Sequence, residues 1–325
     1  MSIEKKPLVN DLYTADPSAH VFNGKIYIYP SHDEDIDVEN NDNGDQYDMK
    51  DYHVYEMPDT ETYPRDCGCV LKLEDIPWAS KQLWAPDCVE KDGKYYFVYP
   101  ARDKEGFFRI GIAIGDKPEG PFKPEPNYIP GSYSIDPCMF PDTDGKYYLT
   151  FGGIWGGQLD QYRNNKWSAD NKEPKGDEEA CTAKIALMKD NLLEMAEEPK
   201  DIMILDENGK PLTGGDEARR YFEDPWMFKK GDTYYFTYST GTTHLLCYAT
   251  SKNVYGPFTY GGVILTPVLG WTTHHSILEY NGKWYLFYHD CERSGGVNQK
   301  RNVKFRELKF NDDGSIQTMD GSLDK

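Results

Sequence analysis

The sequence predicts an all-β protein, a five-bladed β-propeller that occupies residues 1–325 as a single domain. A hairpin motif recurs five times along the chain, and repetition of one antiparallel unit is typical of propellers. The composition agrees, because 25 Tyr, 7 Trp and 29 Gly favour aromatic strands separated by tight turns. Helical periodicity is almost absent.

Each copy of the motif has an opening segment, a turn with a glycine and an aromatic strand. In the fourth copy, residues 221–228 lead through a turn into the aromatic run 234–238. The five turn glycines are Gly24, Gly93, Gly145, Gly231 and Gly282. Their spacings are 69, 52, 86 and 51 residues. The two shorter spacings are close to one four-stranded blade, and the two longer ones contain insertions.

The segments between the motifs supply the outer strands of the blades. Alternating or β-branched runs predict strands at 52–55, 109–114, 183–187 and 245–249. The alternating run 303–308 is predicted to complete the last blade. A single helical turn is predicted near 191–195.

Three polar insertions interrupt the repeat, at about 33–50, 156–180 and 194–220. The first is rich in Asp and Asn, which suggests a calcium loop of the EF-hand type. With Gly44 at position six of such a loop, Lys50 stands where a bidentate Glu is required. The insertion is therefore predicted to be a solvated acidic loop at the rim of the site.

Charge and cysteine content limit the functions that fit this chain. The net charge of -19 argues against nucleic acids and anionic membranes as partners, because both bind basic surfaces. No apolar run approaches the length of a membrane span. Seven scattered cysteines and no visible signal peptide predict reduced thiols in a cytoplasmic protein.

The repeat locates a candidate site at one end of the propeller. Eight positions before a turn glycine lie Asp16, Ala85, Glu223 and His274, and Asp136 lies nine positions before its glycine. The inner strands of all blades begin at one face, so these residues are expected to converge there. A single Asp-Pro is usually a turn element. Here the equivalent positions diverge into carboxylates and an imidazole, and function explains that divergence better than turn structure.

Several carboxylates at one pole indicate acid–base hydrolysis, with one group ionised as a base and another retaining a proton. Two carboxylates that flank a glycosidic bond are the standard arrangement for glycoside hydrolysis. Tryptophans near the predicted opening either stack on sugar rings or pack between blades. These tryptophans are Trp84, Trp155, Trp226 and Trp271. No nucleophile elbow, phosphate loop or dinucleotide fingerprint is present.

With these motifs in place, the chain resembles glycoside hydrolase family 43 along its whole length. The resemblance implies that Asp16, in Ala-Asp-Pro of the first blade, is the general base. It implies that Asp136, in Ile-Asp-Pro of the third blade, orients the acid and tunes its pKa. Glu223, which opens the fourth blade, would be the general acid, although the adjacent Asp224 is also a carboxylate.

The resemblance also implies binding residues and a metal. Trp84 is a candidate for stacking on a sugar, and Arg293 is the nearest match to an arginine that contacts the sugar late in the fifth blade. His32, at a strand end directly before the acidic insertion, is a further candidate for contact with substrate. A Ca²⁺ ion in the central channel would be held by His274, with its neighbour His275 as the alternative ligand.

The activity that the resemblance implies is exo-acting β-xylosidase on xylo-oligosaccharides or arabinoxylan fragments, with inversion by single displacement. Inversion requires the two carboxyl groups to stand roughly 6.5–9.5 Å apart. The alternatives are an α-L-arabinofuranosidase or dual-activity enzyme on the same fold, an endo-arabinanase, and a non-catalytic carbohydrate-binding propeller. The sequence leaves the oligomeric state open, a homo-oligomer included.

Overall fold

A computed structural model describes residues 2–271 and 273–324 of the protein, in five mainly antiparallel sheets arranged as a five-bladed propeller. Blade one contains β1 (Tyr13–Phe22), β2 (Lys25–Asp33), β3 (Asp51–Met57) and β4 (Arg65–Lys72). Blade two contains β5 (Ala79–Lys81), β6 (Asp87–Lys91), β7 (Lys94–Asp103), β8 (Phe108–Gly115) and β9 (Lys123–Pro124). Blade three contains β10 (Cys138–Pro141), β11 (Tyr147–Phe151), β12 (Lys184–Leu187) and β13 (Lys200–Asp201).

The remaining two blades differ in size. Blade four contains β14 (Ile204–Leu205), β15 (Glu223–Lys230), β16 (Thr233–Ser239), β17 (Leu246–Ser251) and β18 (Phe258–Leu265), with β14 parallel to β18. Blade five contains β19 (His275–Tyr280), β20 (Lys283–Asp290) and β21 (Asn302–Leu308). Short 3-10 helices occupy Leu73–Asp75, Trp155–Gly157, Leu159–Gln161, Arg163–Asn165, Glu292–Ser294 and Gly321–Asp324.

The inner strands of the blades form a closed ring. Strand β1 contacts β6, β6 contacts β10, β10 contacts β15, β15 contacts β19, and β19 returns to β1. The N-terminal segment closes the last blade from outside, because the Lys5 and Leu8 amides donate hydrogen bonds to the Phe305 and Val303 carbonyls, each at 2.9 Å. The three strands of blade five thus gain a fourth, irregular neighbour from the other end of the chain.

Two types of two-residue turn join the inner strands to their partners outside blade three, where the connection 142–146 is longer. In blade one, Asn23 and Gly24 have φ of 53° and 77°, the pattern of a two-residue type I′ hairpin turn. In blade four, Gly231 has φ of 61° and comes first in its turn, which is the type II′ pattern. Glycine therefore stands second in one turn and first in the other, a difference that matters for the site.

The hydrophobic core lies between neighbouring blades. Aromatic and aliphatic side chains from facing sheets pack in layers, such as Tyr29, Tyr52 and Phe97 between blades one and two. Phe228 and Trp284 pack between blades four and five, with ring centroids 5.1 Å apart. Blades with both faces covered explain why the inner strands are almost continuously buried and show little alternation.

The predicted architecture and outer strands are confirmed, including the strand that follows Arg301. The predicted helical turn near 191–195 is wrong, because these residues form bends and a bridge between Met188 and Met195. Residues 34–50 form an irregular loop between β2 and β3. Within the described residues, no helix is long and apolar enough to cross a membrane.

Candidate active site

A pocket of about 240 Å³ opens at the end of the propeller where the inner strands begin. Its floor consists of residues from the blade openings: Asp16, Ala85, Ile135, Asp136, Phe222, Glu223 and His274. One wall comes from the acidic loop between β2 and β3: Asn40, Asn41, Asp42, Gly44, Gln46, Tyr47 and Met49. Trp84, Trp155, Trp271 and Arg301 also line the pocket. The structure thus brings the three predicted catalytic residues, Trp84 and His274 to one place.

A left-handed aspartate before proline is repeated at three blade openings. Asp16, Asp136 and Asp224 have φ of 50°, 56° and 65°, a region that Asp tolerates better than most side chains. In blades one and four, pairing with the next strand shifts across this dipeptide. Such a bulge redirects side chains at the end of a strand.

These bulges correct the register predicted from the turn glycines. Ala15 pairs with Ser31 and Glu223 pairs with Ser239 at matching positions, so Asp224, and not Glu223, is the structural counterpart of Asp16. The count went wrong by one residue because the glycine of blade four stands first in its turn. Glu223 nevertheless lines the pocket, whereas Asp224 lies beneath it with 1% of its surface exposed.

Asp16 is held as an ionised carboxylate. One oxygen, Oδ1, lies 3.0 Å from Nη1 of Arg301, and Oδ2 accepts a hydrogen bond from the Ser31 hydroxyl. Burial is the largest single effect on the pKa of Asp16 and raises it, but the positive charge of Arg301 and the other lowering contacts together outweigh it. Contributions from His274 and His289 act in the same direction, and the pKa falls from 3.8 to about 2.

Arg301 is fixed by a second carboxylate. Its Nε and Nη2 atoms form a bidentate pair with Asp33 at 2.8 and 2.7 Å, and its guanidinium stacks over Tyr47 at 4.8 Å. Asp33 and Asp16 together keep the pKa of Arg301 well above its ordinary value although the side chain is buried. The guanidinium therefore carries a permanent charge at the pocket floor.

The other side of the floor is crowded with carboxyl groups. Burial, followed by repulsion from Glu223 and Asp16, raises the pKa of Asp136 well above 3.8. Burial, followed by repulsion from Asp136 and Glu223, also raises the pKa of Asp224. The Asp224 amide donates to Oδ2 of Asp136 at 3.1 Å, which ties the two openings together. Because close carboxylates cannot all ionise, this side retains a proton near neutral pH.

His274 lies between the two sides. Its Nε2 atom is 2.7 Å from Oδ1 of Asp224, and its Nδ1 atom is 3.5 Å from Oδ1 of Asp16. Burial is the main reason that its pKa falls to about 3, so the imidazole is neutral and can act as a ligand. His275 is turned away from the pocket, with its ring between Asp224 and Thr237. The alternative of His275 as the channel ligand is therefore not supported by its position.

The donor set around His274 fits a divalent cation. A neutral imidazole faces two buried carboxyl groups, and among the described residues that line the pocket the carboxyl groups outnumber the one guanidinium, so the site favours added positive charge. Oxygen donors suit Ca²⁺, which takes carboxylates and waters in flexible geometry.

An arginine braces the wall of the pocket. Nη2 of Arg102 donates to the carbonyl of Asn43 at 3.1 Å and to that of Gly156 at 3.2 Å. These carbonyls belong to the acidic loop and to the segment after β11, which meet so closely that a Cβ on Gly156 would lie 2.9 Å from the Asn43 oxygen. Trp84 supports the same loop, since its Nε1 donates to the Tyr47 carbonyl at 2.8 Å. The pocket is thereby closed on this side.

Two predicted substrate-binding residues are not in the pocket. Arg293 binds the carbonyls of Val9, Asn10 and Leu12 with its guanidinium, and so fastens the N-terminal segment to blade five. The arginine that lines the pocket is Arg301, eight residues further on.

His32 faces the outside of blade one instead of the pocket, where its Nδ1 atom lies 2.6 Å from Oδ1 of Asp51. Among the tryptophans, Trp226 is buried and donates to the Ile277 carbonyl at 3.0 Å, so it packs between blades. Trp84, Trp155 and Trp271 remain available to contact a ligand.

The comparisons with known proteins agree with this geometry. The sequence model of glycosyl hydrolases family 43 matches residues 5–316. The chain is 57% identical to the xylosidase/arabinosidase of Bacteroides ovatus over 322 residues, 99% of each chain. It is 54% identical to the β-xylosidase of Xylanibacter ruminicola over 309 residues, 94% of this chain and 97% of the relative.

A solved structure is equally similar. The chain superposes with a TM-score of 0.96 and 55% identity on a GH43 β-xylosidase/α-arabinofuranosidase from a compost microbial metagenome, in a calcium-free complex with xylotriose. The superposition covers 99% of this chain and 98% of the other.

Proposed function

The chain belongs to glycosyl hydrolases family 43 and is a glycoside hydrolase, and we propose that it releases xylose from the non-reducing end of β-1,4-xylo-oligosaccharides. The observation that carries this proposal is a pocket, closed on one side, in which an ionised carboxylate, Asp16, faces a side that retains a proton and includes Glu223. The names of the relatives, and the xylotriose bound to one of them, support a xylose-containing substrate.

Asp16 is suited to the role of general base. Its pKa of about 2 keeps it ionised near neutral pH, and its backbone amide donates a hydrogen bond to Nδ1 of His289 at 3.0 Å. In the proposed reaction, Asp16 takes a proton from a water molecule as that water attacks the anomeric carbon. Arg301 holds the carboxylate in place and offers a charged donor toward the pocket.

Glu223 is suited to the role of general acid. It lines the pocket together with Asp136, and the two carboxyl groups repel each other's charge. A shared proton on this side is available for the departing oxygen of the glycosidic bond. Proton uptake by Asp16 and proton donation by Glu223 then complete a single displacement with inversion.

The exo mode of action rests on the wall of the pocket. The loop 34–50 and the segment after β11 meet across the bracket made by Arg102, which blocks one end of the cleft. A blocked cleft accepts a chain end and excludes the middle of a polymer. Trp84, Trp155 and Trp271 supply flat apolar surfaces for the sugar rings.

His274 would hold the calcium ion proposed for the channel, with Asp16 and Asp224 nearby. When bound, the ion would supply positive charge against the carboxyl groups of the floor. The chain's own residues perform the proton transfers. The seven cysteines, all free thiols, also support the proposal of a cytoplasmic enzyme, because such compartments keep thiols reduced.

An α-L-arabinofuranosidase activity, alone or together with xylosidase activity, is the second candidate. A relative 57% identical to this chain and a solved structure 55% identical to it are both named for the two activities together. The test is to compare hydrolysis of aryl β-D-xyloside, aryl α-L-arabinofuranoside and xylotriose by the wild type and by Glu223→Gln. Xylose and xylobiose as first products of xylotriose, with α-xylose as the first anomer seen by NMR, would support the proposal.

Other outcomes are equally decisive. A clear preference for the arabinoside would keep the pocket and the proton transfers but replace the substrate. Xylotriose binding measured by calorimetry without any turnover by the wild type would support a carbohydrate-binding protein and refute the enzyme mechanism. Loss of activity in a chelator, with recovery in calcium, would support the metal at His274.

A further inference from the structure

We propose that His32, Asp51 and His53 form a second metal site, on the outside of blade one, for a divalent transition-metal ion of the zinc type. One ligand atom from each residue lies within 4.8 Å of the others. These three side chains lie apart from the pocket residues, and the proposal is independent of the proposed function. It uses a histidine, His32, that the pocket does not.

The donor set selects the class of metal. Two imidazoles and a carboxylate suit zinc and its neighbours, whereas calcium prefers oxygen ligands alone. Around a tetrahedral zinc ion with bonds of about 2.0–2.1 Å, ligand atoms stand roughly 3.4 Å apart. Small side-chain rotations therefore suffice to close the site from its present spacing. Three protein ligands leave a fourth position for water.

The partner of a metal-binding histidine is already in place. Nδ1 of His53 lies 3.0 Å from Oδ2 of Asp66, and Asp66 is fixed in turn by the Gly68 amide at 2.7 Å. A carboxylate on one ring nitrogen orients the imidazole and leaves the other nitrogen, Nε2, to bind a metal. The rings of His32 and His53 meet edge to face with centroids 5.7 Å apart.

Burial is intermediate, as a metal site with an entry path requires. The side chains of His32, His53 and Asp51 are 17%, 18% and 26% exposed. They are ordered by the sheet yet reachable by an ion from solvent. Asp51 and Asp66 bring two carboxylates to the cluster, which match the charge of a divalent ion.

A metal bound at the proposed site would restrain the loop that walls the pocket. His32 lies one residue before the end of β2, and Asp51 is the first residue of β3, so the two flank the loop 34–50 that walls the pocket. A metal bound to both would clamp the base of that loop. His32 also neighbours Asp33, the partner of Arg301.

The experiment is a calorimetric titration of metal-free protein with Zn²⁺ in the presence of saturating Ca²⁺, added to fill the channel site proposed at His274. We expect one zinc site, weakened at least about 100-fold in His53→Ala and His32→Ala, and about 10- to 100-fold in Asp66→Asn. His20→Ala is a matched control. His20 lies 2.6 Å from Oδ1 of Asp87, as His32 lies from Asp51, but belongs to no three-ligand group among the described residues.

Two further readouts keep the proposal falsifiable. Crystals soaked in zinc should give an anomalous peak between the two imidazoles, and zinc should slow proteolysis of the loop 34–50 in the wild type but not in His53→Ala. His53→Gln replaces His53→Ala if the latter does not fold. Zinc binding that survives in His53→Ala, or that is lost only in His274→Ala, would overturn the proposal.

Discussion

The openings of blades one and three have the same backbone and opposite electrostatics. Asp16 and Asp136 both precede a proline in the left-handed region, with φ of 50° and 56°, and both are buried. The pKa of Asp16 falls to about 2, whereas that of Asp136 rises well above 3.8. Arg301 lies against the first carboxylate, and the second has Glu223 as its strongest charged neighbour.

The comparison shows that the repeated backbone places the aspartate, and that the charged groups around it set its pKa. A propeller delivers one side chain per blade to a common point, and it can reuse one bulge to do so. The aspartate beside the guanidinium of Arg301 is ionised and can act as a base, whereas the aspartate beside Glu223 belongs to the side that retains a proton. The predictions below test this division between the two sides.

The largest effect is expected from removing either proton-transfer group. Asp16→Asn and Glu223→Gln should each lower kcat by about 10²–10⁴-fold on xylobiose. On an aryl xyloside with an acidic phenol, Glu223→Gln should retain more activity, because that leaving group departs without a proton. Asp16→Asn should lose activity on both substrates alike, because attack by water still needs a base.

Steady-state kinetics on the two substrates measures this difference. Circular dichroism of each variant controls for folding. Equal losses by Glu223→Gln on both substrates would contradict its assignment as the acid.

The next effect concerns the charge that distinguishes the two sides. Arg301→Met removes the largest of the contributions that hold the pKa of Asp16 down, so burial is opposed only by His274, His289 and the Ser31 hydrogen bond. The carboxylate should accept a proton at higher pH, so the acidic limb of kcat/KM should move up by about one to three pH units. The pH profile measures this shift, and Arg301→Lys, which keeps the charge, should show a smaller one. An acidic limb that stays in place in both variants would show that Arg301 does not set the pKa of Asp16.

A smaller effect is expected on the proton-retaining side. Asp136→Asn removes a carboxyl group that repels Glu223, so Glu223 should lose its proton more easily. The basic limb of the pH profile should therefore move to lower pH, with kcat reduced by about 10- to 100-fold, less than for a direct proton donor. A merely structural role for Asp136 would lower activity at all pH values without moving that limb.

The smallest effect on turnover is expected from the pocket wall. Arg102→Ala removes the bracket between Asn43 and Gly156, so KM should rise a few-fold with kcat nearly unchanged. The lost hydrogen bonds should lower the free energy of unfolding by about 2–4 kcal/mol. Kinetics and denaturant titration measure the two changes, and Arg163→Ala, at an exposed position, is the control. A lower kcat with constant KM would place Arg102 in the chemistry and not in the wall.

The fold could be predicted because its signals are local and repeated. Each hairpin carries its own turn residues and aromatic strand, and five copies leave few other architectures. The convergence of the blade openings on one pocket could be predicted from the repeat. Asp16, Asp136, Glu223, His274 and Trp84 meet in one pocket. The counterpart of Asp16 is nevertheless Asp224, because a type II′ turn shifts the glycine of blade four by one position.

The two arginines show what the sequence could not resolve. Arg293 and Arg301 both lie between β20 and β21, and only tertiary contacts separate them. Arg293 faces backbone carbonyls of the N-terminal segment, whose docking leaves no pattern in the sequence. Arg301 directly precedes β21, a position that could have drawn attention to it. His32 stood beside the correct loop, but its side chain points outward, as the alternation of a strand requires when Asp33 points inward.

The N-terminal segment and β21 close the ring of blades by noncovalent contacts only. Catalysis depends on this contact between the two ends of the chain, the seam of the ring. Asp16 belongs to the first blade, whereas Arg301 and His274 belong to the last, so the base and the groups that set its charge lie on opposite sides of that seam. If the two ends of the chain separated at this seam, Asp16 would lose its contact with Arg301 even while the strands within each blade stayed paired. The active site is therefore assembled only while the first and last blades remain in contact.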